Sequence, residues 1–398
     1  MAADGAKGTV RPLLGLDFEP ERFEGRMNRQ VDAKLAWRRS EEPDQLWFFY
    51  YERGFCGVMP VWGGYHRLFF LADDTGVPDR DPTLEEIQSV ARDVTGDETL
   101  TLTDPQWLTY CRFQYGASPG YSRRRMFLAE DAGHLSLPIG GQGMNAGLHD
   151  TVEIAWRLAM TLRGEASPVV LGSYDAGRGG EHARLSAQQA KGFRRTVYRG
   201  SVIDTALGLA AKALPSIGSL MQGTDDLQQL AVSYPESALN DDRLSGLGYL
   251  SQRGPKPGER APEAEVVDAG RDTSLFPYLY NPDGHTTGWA LLCFDGRSSD
   301  AHLPLRAAIE GVAPWRTVRQ GLVLAGTLFV AGEALVLSDL DGKAHGAYGL
   351  EGQPALVLVR PDGHIAFRGP ADKPGQLRAY CARVFGDAAG KQHVRPHS

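Results

Sequence analysis

The sequence predicts a mixed α/β protein of more than one unit, and three stretches carry that prediction. Between residues 126 and 163 a short apolar strand runs through a glycine-rich loop into a long amphipathic helix. Between residues 20 and 125 short aromatic-rich segments alternate with turn residues, the pattern of an antiparallel meander. Beyond a Pro- and Gly-rich stretch at 251–262, strand and helix patterns alternate to about residue 385.

The totals set bounds on these units. A chain of 398 residues accommodates two or three domains. The formal net charge of -7 gives no footing for nucleic acid or an anionic membrane surface as partner. Four cysteines, Cys56, Cys111, Cys293 and Cys381, are widely spaced and form no CxxC. Such usage fits a reducing compartment better than a disulfide framework or a zinc site. No apolar run reaches membrane-spanning length and no signal-peptide pattern follows Met1, so the expected location is cytoplasmic.

Taken in order, Ala2 to Arg11 reads as the tail of a buried strand entering a turn and a helix. Gln45–Tyr51, Gly57–Trp62 and Tyr65–Leu71 read as strands parted by Arg53-Gly54 and Gly63-Gly64. Their aromatics suit one wall of an apolar pocket, although plain sheet packing uses the same residues. Glu85–Thr95 reads as a helix, and Tyr121 to Arg125 as an arginine-rich turn.

Met126 to Ala129 is the short strand, stopping at the carboxylate of Asp131. Pro138 and the run Gly140, Gly141, Gln142, Gly143 lead to a helix start at about Met144-Asn145. Val152, Ala155, Trp156, Ala159 and Leu162 form its apolar face, with Glu153, Arg157 and Arg163 opposite, and Gly164 closes it. A glycine loop feeding a helix N-terminus offers unpaired N–H groups and the positive end of the dipole to an anionic ligand. An ordinary strand–turn–helix connection has the same composition, so the residues alone leave both readings open.

Further on, Leu171–Ala190 and Gly192–Leu209 read as helices. In the last unit Trp289–Phe294 and Gly321–Val330 read as strands, and Pro354–Arg360 with Gly363–Arg368 as a hairpin about Pro361-Asp362-Gly363. Among histidines, His134 is the first candidate for acid–base work, ahead of His149 and His66, but a turn histidine is more often simply hydrogen-bonded. No Ser–His–Asp spacing, metal-ligand cluster or Walker loop stands out, and no catalytic side chain is assigned.

The run Asp131, Ala132, His134, Pro138, Gly140, Gly141, Gln142, Gly143, Met144, Asn145 and Asp150 resembles the second flavin fingerprint of FAD-dependent aromatic hydroxylases. That group includes phenol and aromatic polyketide hydroxylases. Asp4, Gly5, Val10 and Arg11 match an upstream motif of the same family, with Gly8 in place of its serine. Tyr174 and Arg178 fit a further segment in which Gly177 replaces a glutamate, and Ser233-Tyr234 resembles another. Leu358 to Gly363 matches a segment of the family's thioredoxin-like C-terminal domain. The glycine that precedes the family's aspartate is Glu130 here, and the GxGxxG that holds the FAD pyrophosphate is absent from the sequence.

The resemblance implies a remnant FAD-binding, Rossmann-like domain over 1–20 and 126–250 and a substrate-binding antiparallel sheet inserted at 21–125. A linker at 251–262 then leads to a thioredoxin-like domain at 263–390. It implies Asp131, Pro138, Gly140, Gly141, Gln142, Gly143, Met144, Asn145 and Asp4 as FAD-binding residues. NAD(P)H is the implied reductant, O2 the co-substrate and a phenolic or polyketide aromatic the substrate, with polyketides favoured by the Pro-Ile-Gly-Gly-Gln-Gly form. It also implies a chain without the family's N-terminal region, weak or no FAD binding by the chain alone, and a homodimer or a separate N-terminal half as partner. The chemistry resides in the flavin, so few obligatory catalytic side chains are expected. A non-catalytic descendant that binds an aromatic ligand or serves as an auxiliary protein is the alternative, and a cyclase or hydrolase a third with no motif behind it.

Overall fold

A computed structural model describes residues 1–41, 44–51, 54–73, 80–137, 142–197, 232–244, 254–280, 288–325 and 335–386. Residues 20 to 125 build an antiparallel sheet from strands β1 (Glu21–Ala36), β2 (Trp47–Tyr51), β3 (Gly54–Val61), β4 (Tyr65–Asp73) and β5 (Thr101–Ala117). With the short β8 (His134–Leu135) its order is β2-β3-β4-β1-β5-β8. In-register pairs such as Val31 with Leu68 and with Leu108 place apolar side chains on one face. That face closes on helix α2 (Leu84–Thr95) through Ile87 and Ala91, with Val58, Leu68 and Phe70 beneath. A capping box between Thr83 and Glu86 starts the helix and Gly96, at φ +65°, stops it.

The aromatic strands and α2 stand where the sequence placed them, within a few residues. The two longest strands were not legible individually. Charged residues run through β1, while β5 contains Pro105 and a left-handed Asp104 at φ +52°. Both features are usually found outside regular strands.

A four-residue helix α1 (Val10–Leu13) precedes this sheet. After it, β6 (Ser122–Arg123) and β7 (Met126–Phe127) form a small ladder, and Ala2 bridges Leu128 in parallel. Helix α3 (Gln142–Leu162) ends before Gly164, at φ +68°, and α4 follows as one thirty-residue helix, Pro168–Val197. Two separate helices were expected there, and residues 198–209 of the second lie outside the described residues. The faces of α3 also differ from expectation. Val152 and Leu162 are exposed, while Glu153 and Arg157 are buried beside Ile154, Trp156 and Met160. An ion pair explains the inversion: Arg157 bonds Glu153 one turn back and donates to Ser173 Oγ of α4 at 3.1 Å, so the charges enter the interior compensated.

The last unit is an eight-stranded mixed sheet. Its members are β9 (Asp241–Asp242), β10 (Glu265–Asp268), β11 (Arg271–Ser274), β12 (Trp289–Phe294), β13 (Val318–Leu324), β14 (Leu335–Ser338), β15 (Ala355–Val359) and β16 (Ile365–Pro370). The order is β11-β10-β14-β13-β12-β15-β16-β9, with β12, β13 and β14 parallel and β15 and β16 antiparallel. Alternation along β12 sends Trp289, Leu291 and Cys293 to one core and Ala290, Leu292 and Phe294 to the other. Helices α6 (His302–Val312) and α8 (Pro374–Phe385) cover the first face, and α5 (Leu275–Tyr280) and α7 (Lys343–Tyr348) the second.

This architecture corrects the thioredoxin-like expectation. The sheet is widened by the hairpin β10–β11 at one edge and by β9 at the other, and its first core continues into Trp156 and Met160 of α3 and Val170 of α4. The edge strands are short and polar, so they left no periodic signal. The described part of the expected linker, 254–262, lies along the sheet: Gly258 N–H donates to Ile365 O and Arg260 bridges His364.

Candidate functional site

The turn after β7 is built around two unusual positions. Glu130 adopts φ +58°, a left-handed conformation that favours glycine, the residue of the resembled fingerprint at this place. Its N–H donates to Asp150 Oδ2 at 2.8 Å. Its carboxylate turns back over α3, where it accepts from Thr151 Oγ1 at 3.2 Å and lies against Gly147. Asp131 comes next, in a single 3-10 turn (Glu130–Ala132), with its carboxylate exposed and without a partner among the described residues.

Arg11 ties the N-terminal loop to this turn. Its guanidinium donates to Ala132 O at 2.9 Å, Asp131 O at 3.4 Å and Ala6 O at 2.8 Å. Asp4, in the same loop, accepts the Val10 N–H at 3.0 Å, and that bond holds its carboxyl below the usual range. A Cβ at Gly8 would stand 2.3 Å from the Asp4 carboxyl carbon, so a side chain there would have to shift the exposed Asp4 carboxylate.

Helix α3 opens at Gln142. Gly143 is half-buried against Ser136, Met144 is exposed and Asn145 half-buried. The Glu130–Ala132 turn packs on α3 farther along, at Gly147, Asp150 and Thr151, and Arg11 ties the loop of Asp4 to the same turn. Pro138, Gly140 and Gly141 lie outside the described residues. An exposed, uncommitted carboxylate on a turn fixed to the first half of a helix suits a ligand that carries hydroxyls.

Behind the turn lies a buried polar cluster. Asp150, fully buried, accepts from Arg178 Nε at 2.6 Å and His182 Nε2 at 2.8 Å on one oxygen, and from Glu130 N–H and His134 Nε2 (3.1 Å) on the other. Burial alone would raise its pKa, but the bonds from His134 and His182 and the charge of Arg178 hold it far below the carboxylate range. His182 is pushed down to about 3, first by burial and then by Arg178, so it is neutral at pH 7, with Nε2 2.8 Å from Asp150 Oδ1 and 3.0 Å from Arg178 Nη2. Its ring stacks on His134 at 3.6 Å and on Tyr121 at 5.2 Å.

His134, Asp150 and His182 also offer ligand atoms within 4.8 Å of one another, as do Glu153, Asp362 and His364. Permanent cations occupy both places, Arg178 in the first and Arg157 and Arg360 in the second, which opposes metal binding. His182 was not singled out from the sequence. Its signal was there: Tyr174, Arg178 and His182 recur at i, i+4 and i+8 on one face of α4.

On the face of the aromatic sheet opposite α2, Phe48 and Phe55 each pack edge to face with Phe69 and lie tilted to one another, with centroids 5.9–6.4 Å apart. Gly57 permits this, since a Cβ there would lie 2.1 Å from the Phe69 ring. On the same face Arg67 pairs with Asp32 through two 2.8 Å bonds and lies over Trp107.

Comparison with known proteins bears on both units. A family model described as "FAD binding domain" matches residues 1–189, and one described as "Aromatic-ring hydroxylase, C-terminal" matches 254–388. The first match assigns residues 1–189 to an FAD-binding domain, where the sequence reads as a remnant of one. The second replaces the thioredoxin-like assignment. Pentachlorophenol 4-monooxygenase of Sphingobium chlorophenolicum is 26% identical over 94% of this chain and 66% of its own length. The 12-dehydrotetracycline 5-monooxygenase/anhydrotetracycline 6-monooxygenase of Streptomyces rimosus is 29% identical over 92% of this chain and 65% of its own. Dialkyldecalin synthase of Streptomyces rugosporus is 32% identical over 98% and 68%. The chain thus spans about two thirds of the length of these relatives. Among solved structures, the flavin-dependent monooxygenase PieE in complex with FAD and substrate superposes with a TM-score of 0.72 at 20% identity, over 96% of this chain and 69% of that one. Aklavinone-11 hydroxylase with FAD and aklavinone does so at 0.68 and 21%, over 97% and 67%.

Proposed function

Since the chain belongs to the family of FAD-dependent aromatic-ring hydroxylases, we propose that it binds FAD at the Asp131 turn and hydroxylates a phenolic or polyketide aromatic ring. The observation that carries this reading is the exposed, uncommitted Asp131 carboxylate on a turn that the Glu130 N–H bond to Asp150 anchors to α3. Asp131 would accept hydrogen bonds from the ribityl hydroxyls, and the N-terminus of α3 would favour the flavin's pyrimidine edge, where negative charge gathers on reduction. Asp4 shapes the neighbouring loop through the α1 cap. The oxygen-activating chemistry comes with FAD when bound, with NAD(P)H as reductant and O2 as co-substrate.

For the substrate, the Phe48, Phe55 and Phe69 platform offers an apolar surface against which a ring system packs and water is displaced. The units assigned are an FAD-binding unit at 1–20 and 126–250 around the sheet at 21–125, followed by the hydroxylase C-terminal unit. No helix among the described residues is long and apolar enough to cross a membrane.

Incubation with FAD followed by gel filtration tests the reading. A yellow protein with one flavin per chain, and NAD(P)H oxidation stimulated by a phenolic substrate that gains one oxygen, are the expected results. A chain that leaves the column without flavin overturns it. A second reading has one observation in its favour: the relative at 32% identity is named a synthase, not an oxygenase. On that reading the same pocket converts its ligand without oxygen gain or NAD(P)H consumption, and mass analysis of the product separates the two.

A further inference from the structure

The buried cluster behind the Asp131 turn does not end within the first unit. Arg178, which bonds Asp150, also donates to Ala146 O at 3.1 Å in the second turn of α3 and to Tyr234 Oη at 2.9 Å. Tyr234 is buried, and its ring lies 4.7 Å from that of His364 and 5.2 Å below the Arg360 guanidinium. Both belong to the β15–β16 connection of the C-terminal unit. There Asp362 Oδ1 accepts from Arg360 Nε and from the His364 N–H, each at 3.0 Å, which fixes the two rings' neighbours in place.

A continuous path of buried contacts therefore runs from the β15–β16 hairpin through Tyr234 and Arg178 to Asp150. From Asp150 it branches to the Glu130 N–H, which sets the turn carrying Asp131, and through Arg178 to Ala146, which sets the start of α3. None of Asp150, Arg178 or Tyr234 is exposed enough to touch a ligand. Asp150 bonds the turn through the Glu130 N–H, Arg178 bonds α3 through Ala146 O, and Tyr234 reaches both only through Arg178.

We propose that Asp150, Arg178 and Tyr234 are positioning residues for the flavin site, and that the C-terminal unit fixes the spacing between the Asp131 turn and the opening of α3 through them. This rests on the reading of that turn as the flavin site. It gives the C-terminal unit a part in cofactor geometry although it supplies no side chain to the turn itself. A group held within a low-dielectric interior transmits displacement because it has no alternative partner to turn to.

Tyr234→Phe removes one hydroxyl and leaves the ring packed, so it tests the path without unfolding the protein. Asp150→Asn is the stronger but riskier variant, since it sets an amide N–H against Arg178 or the histidines. The expected result for Tyr234→Phe is FAD affinity weakened about tenfold, the loss of one bond to a charged group. A changed near-UV and visible circular dichroism of the bound flavin, with a melting temperature within a few degrees of the parent, is expected alongside. In flavin-free protein, hydrogen exchange of 128–137 and 142–150 is expected to quicken in Tyr234→Phe. Exchange and affinity both unchanged overturn the proposal. A parent chain that binds no flavin sinks the functional reading instead, and the exchange measurement still decides whether the path exists.

Discussion

The indole N–H of Trp289 donates to the sulfur of Met160 at 3.0 Å, with both side chains fully buried. Met160 lies on α3 and Trp289 opens β12, so this contact joins the two units that the family matches define separately. Trp156 packs edge-on against the same indole at 5.8 Å and Phe385 at 4.9 Å. The interface is a core shared between the units.

Trp289→Ala is therefore expected to destabilise the whole protein by about 3–5 kcal/mol, the range for emptying a buried aromatic site. Urea unfolding followed by fluorescence and by circular dichroism measures it. The coupling with Met160→Ala should be at least about 0.5 kcal/mol in a double-mutant cycle. A loss below about 1 kcal/mol would show that the units are stable without this contact.

Gly57 and Phe69 make a sharper pair. A methyl group at Gly57 meets the Phe69 ring at 2.1 Å, so Gly57→Ala must push the ring off the platform. Overpacking of this kind costs about 1–3 kcal/mol. In a Phe69→Ala background the same change should cost less than about 0.5 kcal/mol, and equal costs in the two backgrounds would refute the geometry.

How much of this was legible in the sequence depends on what each signal assumes. The strands β2, β3 and β4 and the hairpin β15–β16 were legible because Arg53-Gly54, Gly63-Gly64 and Pro361-Asp362-Gly363 punctuate them locally. The capping residues of α2 are local too. The buried face of α3 was misjudged because periodicity assumes a dry partner. Instead Glu153 and Arg157 are buried as an ion pair within α3 and Asp150 pairs with Arg178 of α4, while Val152 faces outward. The candidate site was half legible: Asp131 and the opening of α3 follow from the fingerprint. His182 and the path to Tyr234 depend on contacts spanning 28 to 56 residues, which no local pattern encodes.

A second buried histidine predicts a pH dependence. His345 Nδ1 faces Asp339 Oδ2 at 2.7 Å and its Nε2 faces Asp295 Oδ1 at 2.9 Å. Burial opposes its charge, but the bonds to Asp295 and Asp339 prevail and raise its pKa above 6.5. Both carboxyls are lowered from 3.8, burial being outweighed by His345 and backbone N–H groups. A raised folded pKa gives stability that is full below about 6.5 and lost as pH rises through the folded value. The lowered carboxyls give stability that is full above about 4 and lost as pH falls through theirs. Melting temperature against pH should thus be highest between about 4 and 6.5 as far as this cluster decides it. His345→Gln should flatten the decline on the alkaline side, and parallel profiles for the two proteins would count against the assignment.

Glu130 gives the last prediction, because two opposing effects act at one residue. At φ +58° a side chain costs about 1–2 kcal/mol, so Glu130→Gly relieves the backbone. The same change frees the unfolded chain by about 0.5–1 kcal/mol and removes the bond from Thr151, which is partly exposed and worth little. These nearly cancel, and Glu130→Gly is expected within about 1 kcal/mol of the parent. Glu130→Val gains none of the relief and adds a β-branched side chain where the left-handed region tolerates it least. It should fall at least about 1 kcal/mol below the glycine variant in urea unfolding. Equal stabilities for the two variants would mean that the turn rearranges to an ordinary φ. The Glu130 N–H bond to Asp150 could not then survive in its present geometry.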